Sequence, residues 1–327
     1  MDLSVLIFLV QQMMFFSVPL LIVALGGMFS ERSGVVNIAL EGIMIMGAFT
    51  GVLFMYLMQN LGGGSAAGAL PGQFLLIVAL VISAAAGIII ALPHGYASIH
   101  MKANQVISGT AINMFAPAFA VYVARMIRSV QQIPFNNIFY IDSIPLLGKI
   151  PILGPFFFQK TYITTYLGFI ILVISWIVLY KTPFGLRLRA CGEHPQAADS
   201  VGINVYKMRY AGVMISGALG GIGGLVFVVP TAVTFDATVA GYGFLALAVL
   251  IFGQWKPVRI LLAAFFFGLM KTISVAYTSI SFLNSLAIPS AIYKMIPYVA
   301  TLIVLAFTSR NSMAPKASGT PYDKGSR

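Results

Sequence analysis

Residues 181–202, KTPFGLRLRACGEHPQAADSVG, decide how the rest of the chain is read. They are the longest polar interruption between apolar blocks, apart from one other long loop and the C-terminal tail. Lys181, Arg187 and Arg189 stand against Glu193 and Asp199. Apolar blocks long enough to cross a bilayer flank the stretch on both sides. Within it, Glu193-His194-Pro195-Gln196-Ala197-Ala198 predicts the start of a short helix. Pro195 suits a first helical position, where its missing N–H is no loss. Glu193 would complement the positive helix end, and Gly202 is a natural stop just past the end. A helix of about seven residues is marginal alone in water because nucleation is costly. Something else must hold it, and a short capped helix on the wet side of a membrane protein suits docking of a soluble partner.

The composition explains the flanks. Of 327 residues, 59% are hydrophobic and 8% are charged, against about 25% charged in a soluble domain. No water-soluble fold hides that much apolar surface, so the expected fold class is an all-α polytopic membrane protein. The net charge of +11 would suggest nucleic acid in a soluble protein. Here it reads as positive charge gathered on the cytoplasmic side, and no nucleic-acid partner is expected. The single cysteine, Cys191, excludes an internal disulfide. The first apolar block has no basic start and no small-residue cleavage site, so it reads as a retained span.

Apolar blocks fall at about 3–28, 35–58, 73–98, 103–124, 162–180, 210–229, 240–254, 258–278 and 292–308, which predicts nine to ten membrane helices. Placing 181–209 in the cytoplasm and alternating outward puts thirteen of the 19 Lys and Arg residues inside. Arg125, Arg128, Lys149 and Lys160 fall outside, while Lys271 and Lys294 lie within or at the mouth of spans. The asymmetry predicts the N-terminus outside and the C-terminus in the cytoplasm. Residues 1–309 are then one membrane domain. The tail 310–327, rich in Ser, Gly, Pro and Lys, reads as disordered. The uncharged loop 59–73 reads as a flexible outer turn. Residues 125–161, with Pro134, Pro145, Pro151 and Pro155, are expected along the outer face. A re-entrant piece near 130–160 or 230–245 would change this count.

The sixth block carries Gly212, Ser216, Gly220 and Gly224 at helical spacing, with Gly217 and Gly221 beside them. Such series let helix backbones approach closely. Pro19 and Pro297 sit inside spans and should kink them.

Catalytic machinery is missing. Gly148-Lys149 lacks the rest of a phosphate-cradling loop, and His94, His100 and His194 have no metal-ligand spacing. Neither Gly-x-Ser-x-Gly nor His-Glu-x-x-His occurs. The chain is therefore read as a non-enzyme without metal or cofactor of its own. The remaining candidates are polar groups at membrane depth. Asn37 and Glu41, four apart, would share a helix face, with Glu41 near the inner surface. Gln105, Gly109 and Asn113 form one stripe, with Asn104 and Ser108 alongside. Lys271 lies inside a span and needs a partner, a watery path or a route to the surface. Together these residues outline a candidate substrate path, although Asn and Gln equally serve interhelical hydrogen bonding. Amides both donate and accept, which suits a neutral, hydrogen-bonding substrate. An ion-coupled carrier is the alternative of another class. Such carriers place acidic sites at mid-membrane, and Glu41 is the only clear intramembrane carboxylate here.

Four segments resemble the branched-chain amino acid, ribose and nucleoside group of ABC transporter permeases. They are GVVNIALEG (34–42), ANQVISGTAIN (103–113), TPFGLRLRACGEHPQAADSVGIN (182–204) and GYGFLALAVLIFGQWKPVRILLAAFFFG (241–268). The order is right over about 30–310, and the combination of ERSGVVNIALEG with the Gly-Thr-Ala-Ile-Asn span is most similar to the nucleoside branch. Gln105 stands where many relatives carry Glu. The resemblance implies an importer permease paired with a second, often unlike, permease subunit, with monosaccharides or branched-chain amino acids as alternative cargo. It also implies ATPase subunits that carry ATP and Mg, an outer substrate-binding lipoprotein or periplasmic protein, and residence in the bacterial inner membrane. The helix at 193–202 then matches the cytoplasmic coupling helix, with Glu193, Pro195, Ala197, Ala198 and Gly202 as its coupling residues.

Overall fold

The computed structural model describes residues 3–61, 70–151, 153–279, 289–308 and 313–325. In chain order the helices are α1 (Leu3–Arg32), α2 (Leu40–Leu61), α3 (Gly72–Ile99), α4 (Gln105–Arg128), α5 (Ile163–Lys181), α6 (Pro183–Glu193), α7 (Pro195–Ser200), α8 (Val205–Thr231), α9 (Tyr242–Phe252), α10 (Pro257–Ala276) and α11 (Ser290–Thr308). Seven of them, α1–α5, α8 and α10, are long and apolar enough to cross a bilayer. The shorter α9 and α11 are apolar as well.

α8 is the centre of the bundle and packs most extensively on α3, α1 and α2. Its glycines explain why. A Cβ added at Gly217 would lie 2.5 Å from the Gly87 carbonyl oxygen of α3, and one at Gly212 would lie 2.7 Å from Ser33 Cβ. Gly221 sits against the Ser83 carbonyl and Gly224 against the Met44 backbone. Backbone lies on backbone, as small-residue stripes permit. Pro19 lies within α1 and Pro297 within α11; Thr301 Oγ1 donates to the Pro297 carbonyl at 2.7 Å.

The two ends of the bundle differ. At one end, β1 (Ile133–Pro134) pairs antiparallel with β4 (Thr234–Phe235), and β2 (Tyr140–Ser143) pairs antiparallel with β3 (Gln159–Tyr162). The start of α1 belongs to this end, because Gln11 Nε2 donates to the Pro155 carbonyl at 2.8 Å. α6 and α7 form the other end. The C-terminal segment joins them there, with Ala317 N–H donating to the Gly192 carbonyl at 2.9 Å. The chain thus begins and finishes at opposite ends of the bundle.

Four expectations change. The block at 35–58 is not one helix: residues 33–39 are irregular, because Gly34 has φ +99° and Asn37 turns its side chain onto the Ala39 N–H at 3.1 Å. The polar stretch after α5 is largely helical, and its helices break at His194 rather than starting at Glu193. Proline holds the residue before it in an extended conformation, and His194 has φ −149° and ψ 85°. Glu193 therefore closes α6 instead of opening α7. The block at 240–254 is an 11-residue helix preceded by an extended stretch that contains β4. Composition also predicts a structureless tail, whereas residues 313–325 lie against the bundle. The glycine-rich turn falls largely at 62–69, outside the described residues, as do 309–312 and 326–327 of the tail.

Candidate functional site

The irregular stretch 33–39 is held by side chains from three helices. From α4, Gln105 Oε1 accepts from Val36 N–H at 2.7 Å. Asn113 Oδ1 accepts from Gly42 N–H at 2.7 Å, and its Nδ2 donates to the Ile38 carbonyl at 2.8 Å. From α3, His94 Nε2 lies 2.9 Å from the Val36 carbonyl, while its Nδ1 lies 2.8 Å from Ser108 Oγ. From α8, Ser216 Oγ accepts from Asn37 Nδ2 at 2.9 Å. Buried backbone polar groups must find partners, and inside a membrane only protein supplies them. The amides on the predicted stripe therefore face the backbone of 36–42. Asn37 itself is off the helix, so it and Glu41 do not share a helical face. Asn104 is exposed and caps α4, accepting from Val106 N–H at 2.9 Å.

Glu41 lies one residue into α2 and caps a second helix. Its carboxylate accepts from Gly241 N–H at 2.9 Å and Gly243 N–H at 2.6 Å, the first turn of α9. Helix starts carry unpaired N–H groups and partial positive charge. α9 ends near Trp255, so Glu41 lies one helix length, about 16 Å, from that end of the bundle. Lys271 is half-buried on α10, and among the described residues no hydrogen bond joins it to this cluster.

The far end of the site is α7. His194 Nδ1 caps it, accepting from Ala197 N–H at 3.2 Å. Pro195 takes the first helical position as expected. Gly202, at φ +85°, ends it, with Gly202 N–H bonded to the Asp199 carbonyl at 2.9 Å and Ile203 N–H to Ala198 at 3.0 Å. Ala198 is buried with Cys191, Val205 and Tyr322. Ala197 points outward, and Val201 is 74% exposed at the tip, an apolar knob on the open surface. Burial pushes the Cys191 thiol up to about 11.

α7 is wired to the bundle. Glu193 pairs with Arg32 at 3.4 Å. Arg32 Nη2 donates to the Trp255 carbonyl at 3.2 Å, and Trp255 Nε1 donates to Glu31 at 2.7 Å. Glu193, two residues before α7, is thus tied to the end of α1 and to the turn between α9 and α10. Sequence reading missed His94, Ser216, Glu31, Trp255 and Arg209. A histidine inside the block 73–98, and a tryptophan and charges at the edges of other blocks, were the signal, since such groups are costly near membrane depth unless partnered.

The described residues form a bundle of apolar helices that presents a short helix at one end, and no cluster of potential metal ligands occurs among them. The chain matches, over residues 9–305, the family described as the permease component of branched-chain amino acid transport systems, and it belongs to that family. It is 46% identical over 314 residues to the guanosine ABC transporter permease protein NupQ of Bacillus subtilis, covering 95% of each chain. It is 40% identical over 317 residues to the nucleoside ABC transporter permease protein NupC of Lactococcus lactis, covering 97% of this chain and 96% of that one. NupP of Bacillus subtilis, also named a guanosine ABC transporter permease protein, is 27% identical over 260 residues, 77% of this chain and 70% of that one. No solved structure matches the chain.

Proposed function

We propose that the chain is a permease subunit of an ATP-driven importer of nucleosides. The near full-length identity to permeases named for guanosine and nucleosides carries this reading. α7 is the coupling element. Its outward Ala197 and exposed Val201 meet a groove of the ATPase, which supplies ATP and Mg. The α7 end is cytoplasmic, so the chain starts outside and finishes inside. NupQ and NupP are unlike chains of one organism with the same printed role, which favours an unlike second permease as partner. A substrate-binding lipoprotein or periplasmic protein delivers the nucleoside at the ribbon end.

Two groups of residues divide the work along the path. Asn37, Gln105, Ser108 and Asn113 hold the 33–42 wall in shape. Glu41 fixes the start of α9 beside it. Closing of the ATPases moves α7, and the Glu193–Arg32–Trp255 chain passes that motion to α1 and α9. The nucleotide acts by favouring one conformation over the other. Lys271 stands apart from the wall and has no part in this scheme.

Uptake tests the reading. Cells lacking this chain should lose ATP-dependent uptake of labelled guanosine, and the chain should purify with an ATPase unless Ala197 is replaced by Arg. Uptake of a monosaccharide or a branched-chain amino acid instead would reassign the cargo. Transport by the isolated chain under an ion gradient would overturn the ATP-driven reading.

A further inference from the structure

Arg209, on the second turn of α8, is fully buried. Among the described residues its Nε, Nη1 and Nη2 have no hydrogen-bond partner. A guanidinium is always charged and carries five donors. Burying such a charge unpaired is strongly unfavourable. Its surroundings return little. The Tyr322 ring centroid is 6.0 Å from Cζ, at the limit of a cation–π contact. Gly34 is nearest on the other side, where an added Cβ would lie 2.9 Å from Nη2.

Three of the acids at this end are engaged elsewhere, and among the described residues none bonds Arg209. Glu31 accepts from Trp255, Glu193 pairs with Arg32, and Asp323 pairs with Lys102 at 2.8 Å. Asp199 lines a cleft of about 280 Å³ between α7 and Tyr322. The fitting anion therefore comes from another molecule.

What covers Arg209 is the C-terminal segment. It is tied down by Ala317 N–H to the Gly192 carbonyl at 2.9 Å, Gly319 N–H to the Gly34 carbonyl at 3.2 Å, and the Lys102–Asp323 pair. That pair is half-exposed on both sides, and exposed pairs contribute little. The cover, held also by Met313 N–H on Gln254 Oε1 at 3.0 Å and by the buried Tyr322 ring against Tyr206, thus lies over a cation in need of an anion, beside the docking helix.

We propose that Arg209 is the receptor for a carboxylate of the ATPase subunit, and that Tyr322 occupies its place until the ATPase docks. A planar fork matches a carboxylate with two parallel bonds. This inference rests on α7 being the ATPase-docking element.

The test uses the full chain with its partner permease in lipid nanodiscs, free of ATPase, with the transporter's own purified ATPase subunit as the probe. Arg209→Met should weaken ATPase binding tenfold or more. It should also raise the melting temperature of the chain without ATPase, because an unpaired buried charge is gone. Arg209→Lys should restore part of the binding. Tyr322→Ala should strengthen binding severalfold, and the double variant should bind like Arg209→Met. Binding within twofold of wild type in Arg209→Met overturns the proposal. So does a loss of both affinity and melting temperature, which marks a merely structural arginine. Weakening by Tyr322→Ala also overturns it, because the segment would then be part of the docking face. If the unmodified chain binds no ATPase, the docking reading fails instead.

Discussion

Replacing Glu41 by Gln separates a structural from a chemical role for this carboxylate. Its oxygens accept from Gly241 N–H at 2.9 Å and Gly243 N–H at 2.6 Å. The amide keeps one oxygen and turns an NH2 group toward the other donor. One N–H at the start of α9 is then left facing a donor, in a site where Glu41 is 8% exposed. An unsatisfied buried donor costs about 1–3 kcal/mol. Losing negative charge at a helix start costs about 0.3–1 kcal/mol more. A total near 2–3 kcal/mol raises the opening equilibrium of the first turn of α9 roughly 30- to 150-fold. Hydrogen–deuterium exchange in nanodiscs reads this directly. Peptides covering 241–245 should exchange faster by that factor, while α2 beyond its first turn keeps its protection. Uptake should fall equally with and without a sodium or proton gradient. If exchange at 241–245 stays within twofold of wild type while uptake is lost, the carboxylate acts on substrate or ion and the capping argument is wrong.

Ala197→Arg should abolish ATPase association without changing the melting temperature, whereas Ala198→Arg should lower the melting temperature of the isolated chain, because Ala198 is 3% exposed. Gly217→Val should destabilise the bundle by about 1–3 kcal/mol, read as a lower melting temperature in detergent, since its Cβ would lie 2.5 Å from the Gly87 carbonyl; an unchanged value would refute the close approach of α3 and α8. Cys191, pushed up to about 11 by burial, should react with maleimide at neutral pH about a hundredfold more slowly than an ordinary thiol. The rate should rise tenfold per pH unit up to that value, and removal of 313–327 should speed it.

The spans were legible because bilayer thickness and apolarity act on long stretches, and α7 was legible because Pro195 and Gly202 act locally. What escaped depends on where side chains turn. Asn37, Gln105 and Asn113 were read on continuous helices, either facing a path or bonding between helices. Gly34 and Asn37 break the chain, and the freed backbone at 36–42 takes up their hydrogen bonds. α9 escaped because an apolar run reads the same whether it crosses the whole membrane or half of it. The tail reads as disordered from its Ser, Gly, Pro and Lys, yet Tyr322 packs on Tyr206 of α8 and Asp323 pairs with Lys102.

The brevity of α9 has a consequence for biogenesis. Eleven residues make a rod of about 16 Å, half of the roughly 30 Å that a helix must cover to stay in a bilayer alone. As it leaves the ribosome, α9 is too short to lodge in the membrane by itself. The tight turn at 253–256 joins it to α10, whose 20 residues are long enough to cross the bilayer. The first turn of α9 is then completed only when Glu41, made two hundred residues earlier, closes onto it, so the last third of the chain is finished by the first.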